Sequence, residues 1–181
     1  MTWLRALGFI GAFAVLIGIV FRPIHTVSDQ EMAPGLAPGD RVWLADSAAN
    51  IGDVVLLKDP LDPKRTILRR VLATAGATVS FAGDVATVGE EALEHIEMFR
   101  DKTVVVLQER EQYQIQREPG PTNLRIAPIK VPPGHVFLAA DNRGLAIDSR
   151  WWGPVPESEI QAVAIWRIGH ANAWQDRTGR P

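Results

Sequence analysis

Five serines (Ser28, Ser47, Ser80, Ser149, Ser158) and four lysines (Lys58, Lys64, Lys102, Lys130) are the groups in this 181-residue chain from which a nucleophile and its base would be drawn. A serine attacks an acyl carbon only when a base takes its proton, and a lysine serves as that base when burial lowers its pKa. Ser28 with Lys64 is the combination to weigh, but Lys64 falls in a turn ahead of a strand candidate, so the pairing needs a rearrangement. A second constellation is the run Asp141-Asn142-Arg143 followed by Asp148-Ser149-Arg150. Acids and bases so interleaved pair with one another and with turn amides, which fixes a loop rather than driving a reaction. The chain has no cysteine, so disulfides, thiolate metal sites and a cysteine nucleophile are excluded. His25, His95, His135 and His170 have no short spacing that suits a metal, and neither metal nor cofactor is expected. Net charge is −2 and the pI about 6.1, which argues against a nucleic-acid partner.

The elements that must position these groups are mostly strands. Short β-branched runs at 41–44, 53–57, 66–72, 103–107, 113–116, 136–139 and 162–168 alternate with turn signals such as Pro38-Gly39-Asp40, Ala82-Gly83-Asp84 and Pro132-Pro133-Gly134. This predicts a mainly β, antiparallel barrel- or sandwich-like fold. Residues 90–100 are the exception: Leu93, Ile96 and Phe99 share a helical face, so a helix is expected there. Residues 79–125 read as an inserted sub-region, within a β domain spanning 25–174, and 175–181 as a flexible tail.

Ahead of the β domain, residues 6–21 carry no charge and are flanked by Arg5 and Arg22. Sixteen residues at ~1.5 Å rise give about 24 Å of helix, close to a ~30 Å hydrocarbon core once Trp3, Leu4 and Ile24 extend it. A cleaved secretory leader is the alternative, but Val20-Phe21-Arg22-Pro23 offers no small-x-small cleavage site. The expectation is a single-pass transmembrane anchor over 1–24. Arg5 and the amino terminus favour a cytoplasmic N-terminus, with the remainder periplasmic or otherwise extracytoplasmic at the plasma (inner) membrane. Trp43, Trp151, Trp152, Trp166 and Trp174 are core or membrane-interface residues.

Three ordered segments resemble the boxes of type I signal peptidases, membrane-anchored serine proteases that remove secretory leaders. Met32, Pro34, Leu36, Gly39 and Asp40 match the box around the family's nucleophile. Gly52-Asp53-Val54-Val55 and Arg69-Arg70-Val71 are similar to the boxes around its base. Pro133-Gly134-His135-Val136-Phe137, Asp141-Asn142-Arg143 and Asp148-Ser149-Arg150-Trp151-Trp152-Gly153-Pro154-Val155 resemble the third almost letter for letter. The resemblance implies that Asp141, Asn142, Arg143, Asp148, Ser149 and Arg150 form a structural site loop. It also implies that Met32, Pro34 and Leu36 border a peptide groove.

The same resemblance places Glu31 where the family has its serine and Arg69 where it has its lysine. Asp29 stands at the serine that assists the oxyanion, and Ala146 at the serine that orients the lysine. Gly35 replaces a threonine and Ala140 a glycine. A guanidinium keeps its proton far above neutrality and cannot act as general base. A carboxylate is a poor nucleophile for an amide, and one at position 29 repels a developing oxyanion. No catalytic residue is therefore expected at the family positions. The replacements are complementary in charge, so Glu31 and Arg69 are expected to form a bidentate ion pair locking the site.

Three functions remain open. The chain is expected to be an inactive signal-peptidase-like protein that binds or scaffolds a secreted or membrane protein through an extended peptide; inactive homologues that assist surface-fibre assembly are a family precedent. Alternatively it is an active signal peptidase with a displaced dyad. A third reading is a structural subunit of a membrane complex, with Gly8, Gly11, Ala12 and Gly18 permitting close helix packing.

Overall fold

The computed structural model describes residues 23–110, 113–120 and 123–170. The apolar stretch 6–21 and the tail 175–181 lie outside the described residues. Among those described, no helix is long and apolar enough to cross a membrane. In chain order the strands are β1 (Ile24–Thr26), β2 (Asp40–Ala45), β3 (Val54–Lys58), β4 (Thr66–Thr74), β5 (Thr78–Ala82), β6 (Val85–Val88), β7 (Glu91–Ala92), β8 (His95–Arg100), β9 (Val105–Glu109), β10 (Tyr113–Arg117), β11 (Arg125–Lys130), β12 (His135–Ala139), β13 (Val155–Pro156) and β14 (Ile160–His170). One short helix, α1 (Ser149–Trp152), follows the Asp148 cap.

The main sheet has seven strands in the order β1-β2-β14-β3-β4-β12-β13, every neighbouring pair antiparallel. Its centre is covered on both faces, which explains the unbroken apolar run of β3. Val54 and Leu56 pack with Val27, Met32, Leu36 and Leu68, while Val55 and Leu57 pack with Ile67, Val71, Val136 and Val163. Alternation along a strand sends neighbours to opposite faces. Residues 78–130 form two smaller sheets, β11-β5-β6-β7 and β10-β9-β8.

The expected helix at 90–100 is not formed; the segment is β7 and β8. Leu93 is buried with Val79 and Phe81 under one small sheet, whereas Ile96 and Phe99 are exposed on the other. The three residues therefore serve no common face. Antiparallel pairing of β8 with β9, from His95 opposite Glu109 to Arg100 opposite Val105, outweighs a local 3.6-residue pattern.

Candidate functional site

The segment between β1 and β2 is held as a compact turn. Val27 N donates to Asp40 O at 2.8 Å, Ala33 N to Gln30 O at 3.1 Å and Leu36 N to Met32 O at 2.9 Å. Met32 and Leu36 are buried in the core, so of the three groove candidates only Pro34 offers surface. Burial of Met32 leaves Glu31 at the margin, 15% exposed, facing β4.

On β4, adjacent arginines diverge to opposite faces. Arg69, 2% exposed, turns to Glu31: its Nη2 donates to Glu31 Oε2 at 2.7 Å and to Ile147 O at 2.8 Å. Nη1 donates to Leu68 O at 2.6 Å. The ion pair expected between Glu31 and Arg69 is present, but through one carboxylate oxygen rather than two. The other, Oε1, takes Arg65 Nη2 at 2.8 Å. The same Arg65 atom reaches Asp29 Oδ2 at 2.8 Å, and Nη1 lies 3.6 Å from Asp59. Hydrogen bonding to Glu31, then to Asp29, raises the Arg65 pKa against the opposing effect of burial. Asp29 has a second task, because its Oδ1 accepts the Glu31 backbone N–H at 3.0 Å. An amide so capped is not free to stabilise an oxyanion.

The site loop locks the turn from the other side. Asn142 N donates to Glu31 O at 2.9 Å and its side-chain amide to Gln30 O at 3.1 Å. Asp141 is held by Arg70 in a two-point pair at 2.8 and 2.6 Å, both partners buried. Gly35 allows this approach, since a Cβ there would stand 3.2 Å from Asp141 Oδ2. Asp148 caps α1, accepts Ala140 N at 2.8 Å and pairs with Arg150 at 2.7 Å. Ser149 is buried, its Oγ accepting Leu138 N at 3.0 Å. Ala146 lies in the apolar cluster with Met32 and Leu36.

The pairing scheme departs from expectation for two members of that loop. Asp148 and Arg150 do pair with each other, but Asp141 finds Arg70 and Arg143 finds Glu109 on β9. Glu109 is fully buried and also accepts from Tyr113 Oη at 2.9 Å, with His95 Nε2 at 2.9 Å. Burial alone would raise its pKa; the charge of Arg143 and hydrogen bonds from His95, Arg143 and Tyr113 instead hold it at about 2. Burial and the nearby Glu109 charge raise Tyr113. Arg70 lies over the Tyr113 ring, 4.2 Å from its centroid, and joins the two buried ion-pair systems.

Arg65, Glu109, Tyr113 and His95 are the site residues that sequence reading overlooked. Glu109 did carry a signal: in Val-Val-Leu-Gln-Glu, period-two counting puts it on the face of Val105 and Leu107, which are both buried. An acid there needs a buried cation. Arg65 carried no comparable signal, because a turn residue has no face to count.

The chain belongs to the signal peptidase family, peptidase S26, whose description matches residues 1–169. It is 33% identical over 118 residues to mitochondrial ATP-independent inner membrane protease subunit 1a of Arabidopsis thaliana, covering 65% of this chain and 49% of that protein. Against mitochondrial inner membrane protease subunit 1 of Schizosaccharomyces pombe, identity is 26% over 172 residues, covering 91% and 85%. A probable signal peptidase I-1 of Synechocystis is 26% identical over 86% of this chain and 74% of its own length. The chain thus spans about half the length of the Arabidopsis relative and most of the other two. A crystal structure of a signal peptidase I from Enterococcus faecalis aligns with a TM-score of 0.44 at 18% identity, over 66% of this chain and 98% of that one.

Proposed function

We propose that this protein is a catalytically silent member of its family that holds, rather than cuts, an extended segment of a secreted or membrane protein. The observation that carries this reading is the pair between half-buried Glu31 and buried Arg69 at 2.7 Å, with the Glu31 amide capped by Asp29. Nucleophile, base and oxyanion donor of the family's chemistry are replaced together, and the replacements satisfy one another. A displaced dyad has little support, as Lys64 sits on the exposed turn between β3 and β4 and Ser28 on the exposed end of the preceding segment.

The purified full chain is expected to leave a leader peptide intact and to resist a serine-directed acylating inhibitor. The double reversion Glu31→Ser with Arg69→Lys is expected to stay inactive as well, because Asp29 still caps the amide and Ala146 cannot orient a lysine. Loss of the nucleophile alone costs a serine protease roughly a million-fold in turnover. Cleavage by the wild-type chain sinks the proposal; cleavage by the reverted chain shows that positions 29 and 146 do not matter.

We place the β domain at a membrane surface, carried by a single span at 1–24. Relatives named for the mitochondrial inner membrane are consistent with this. So is a cross-strand row on one face of the main sheet: Ile24 opposite Trp43, and Trp43 opposite Trp166, with Ile24 and Trp166 exposed. It starts two residues after Arg22, where indoles suit the headgroup region. Flotation of the 23–181 fragment with zwitterionic vesicles is expected, and Trp166→Ala should weaken it several-fold. Equal flotation of both forms would remove the row from the account.

A further inference from the structure

The lower half of β4 is an incomplete edge. Its strand neighbour on one side is β3, from Thr66 opposite Lys58 to Arg70 opposite Val54. On the other side β12 pairs only as far as Arg70, so Thr66–Arg69 have no strand partner there among the described residues. Val27, Ser28 and Asp29 face this edge across a crevice that Met32, Thr66 and Leu68 also line. The crevice is narrow, with room for about one water.

One side chain ties the segments beside it together. Arg65 precedes β4, is 40% exposed, and ties Asp29 and Glu31 at 2.8 Å each, with Asp59 at 3.6 Å. Arg69 is different: it is buried and bonded to two backbone carbonyls. Ion pairs as exposed as those of Arg65 are worth ~0.2–1 kcal/mol apiece, so they open readily. We propose that Arg65 is a latch: its paired state pins the turn at 27–36 to the β3–β4 loop beside the lower half of β4, and its release lets that turn move away from the strand. This inference rests on the reading of the site as a peptide holder, but the latch itself is tested without any peptide.

Hydrogen exchange of the full chain in mild detergent is the test, read in fragments covering 27–36, 59–66 and, as a control, 135–139. In Arg65→Ala, exchange in the first two should rise about tenfold while the control stays fixed. Arg65→Lys, whose single ammonium reaches one carboxylate at a time, should fall between the two. Raising salt from ~0.05 to ~1 M should move the wild type toward the alanine variant, since screening acts on exposed pairs first. Unchanged exchange at 27–36 and 59–66, or an equal rise at 135–139, overturns the latch. Binding of an extended peptide is then measured on the same proteins. Opening without binding by either form leaves the latch standing and counts against the peptide-holding function.

Discussion

Asp141→Ala is expected to cost about 3–5 kcal/mol of unfolding free energy, a large part of the ~5–15 kcal/mol that a domain of this kind possesses. Arg70 and Asp141 are both buried and joined by two hydrogen bonds, with Nε to Oδ1 at 2.8 Å and Nη2 to Oδ2 at 2.6 Å. Burial works against the Arg70 charge, and the Asp141 carboxylate more than offsets it, so the guanidinium pKa is raised. Without the carboxylate, Arg70 keeps contacts such as Gly52 O at 2.7 Å and the Tyr113 ring, but it loses the charge that offsets its burial. A cation left so is the expensive case. Asp141→Asn retains an acceptor and should lose less. Arg70→Met strands the opposite charge, and its cost should resemble that of Asp141→Ala. The double variant should lose clearly less than the sum of the singles, because each single removes the same mutual compensation and the double removes both charges at once. Denaturant titration of the four proteins measures this; strict additivity would mean that the pair is not an energetic unit.

What could be read beforehand follows from which interactions are local. Runs such as 54–57 and 136–139 declare themselves as strands because both sheet faces are covered and every position is apolar. The Glu31–Arg69 pair was legible because resemblance fixed two positions and charge fixed the rest. What one residue cannot announce is a partner far away in sequence. Asp141 and Arg143 looked like a self-contained loop network with Asp148 and Arg150, yet their cations and anions come from β4 and β9. The segment 90–100 failed for the same reason. Its helical spacing is real, but Leu93 and Phe99 are claimed by different sheets, and β9 supplies the backbone partner. Arg65 shows the limit most plainly, since a turn residue gains its role only when Asp29, Glu31 and Asp59 converge on it.

Glu109 should give the molecule its acid limb. Its carboxyl is held at about 2 in the folded protein against an ordinary 4.5, so the folded state binds this proton more weakly than the unfolded chain. The sign follows: the stabilisation is complete above about pH 4.5 and is lost as pH falls toward 2. A difference of this size is worth about 3 kcal/mol. Glu109→Gln should remove that pH dependence and, even at pH 7, leave Arg143 buried against a neutral amide, for a loss of about 3–5 kcal/mol. Tyr113→Phe deletes one hydrogen bond to a charged acceptor and should cost about 1.5–3 kcal/mol, with most of the acid limb intact. Urea titrations from pH 7 down to 2.5 test both. An acid slope that survives in Glu109→Gln would assign it to another carboxylate. Because Arg70 touches Tyr113, and Tyr113 bonds Glu109, the Glu109 and Asp141 substitutions share a partner chain and should couple when combined. That coupling would mean that the small β8–β10 sheet is more than an appendage. Through Arg143 and the parallel bridge from Gln116 to Asn142, it helps hold the loop whose Asn142 amide fixes the carbonyl of Glu31.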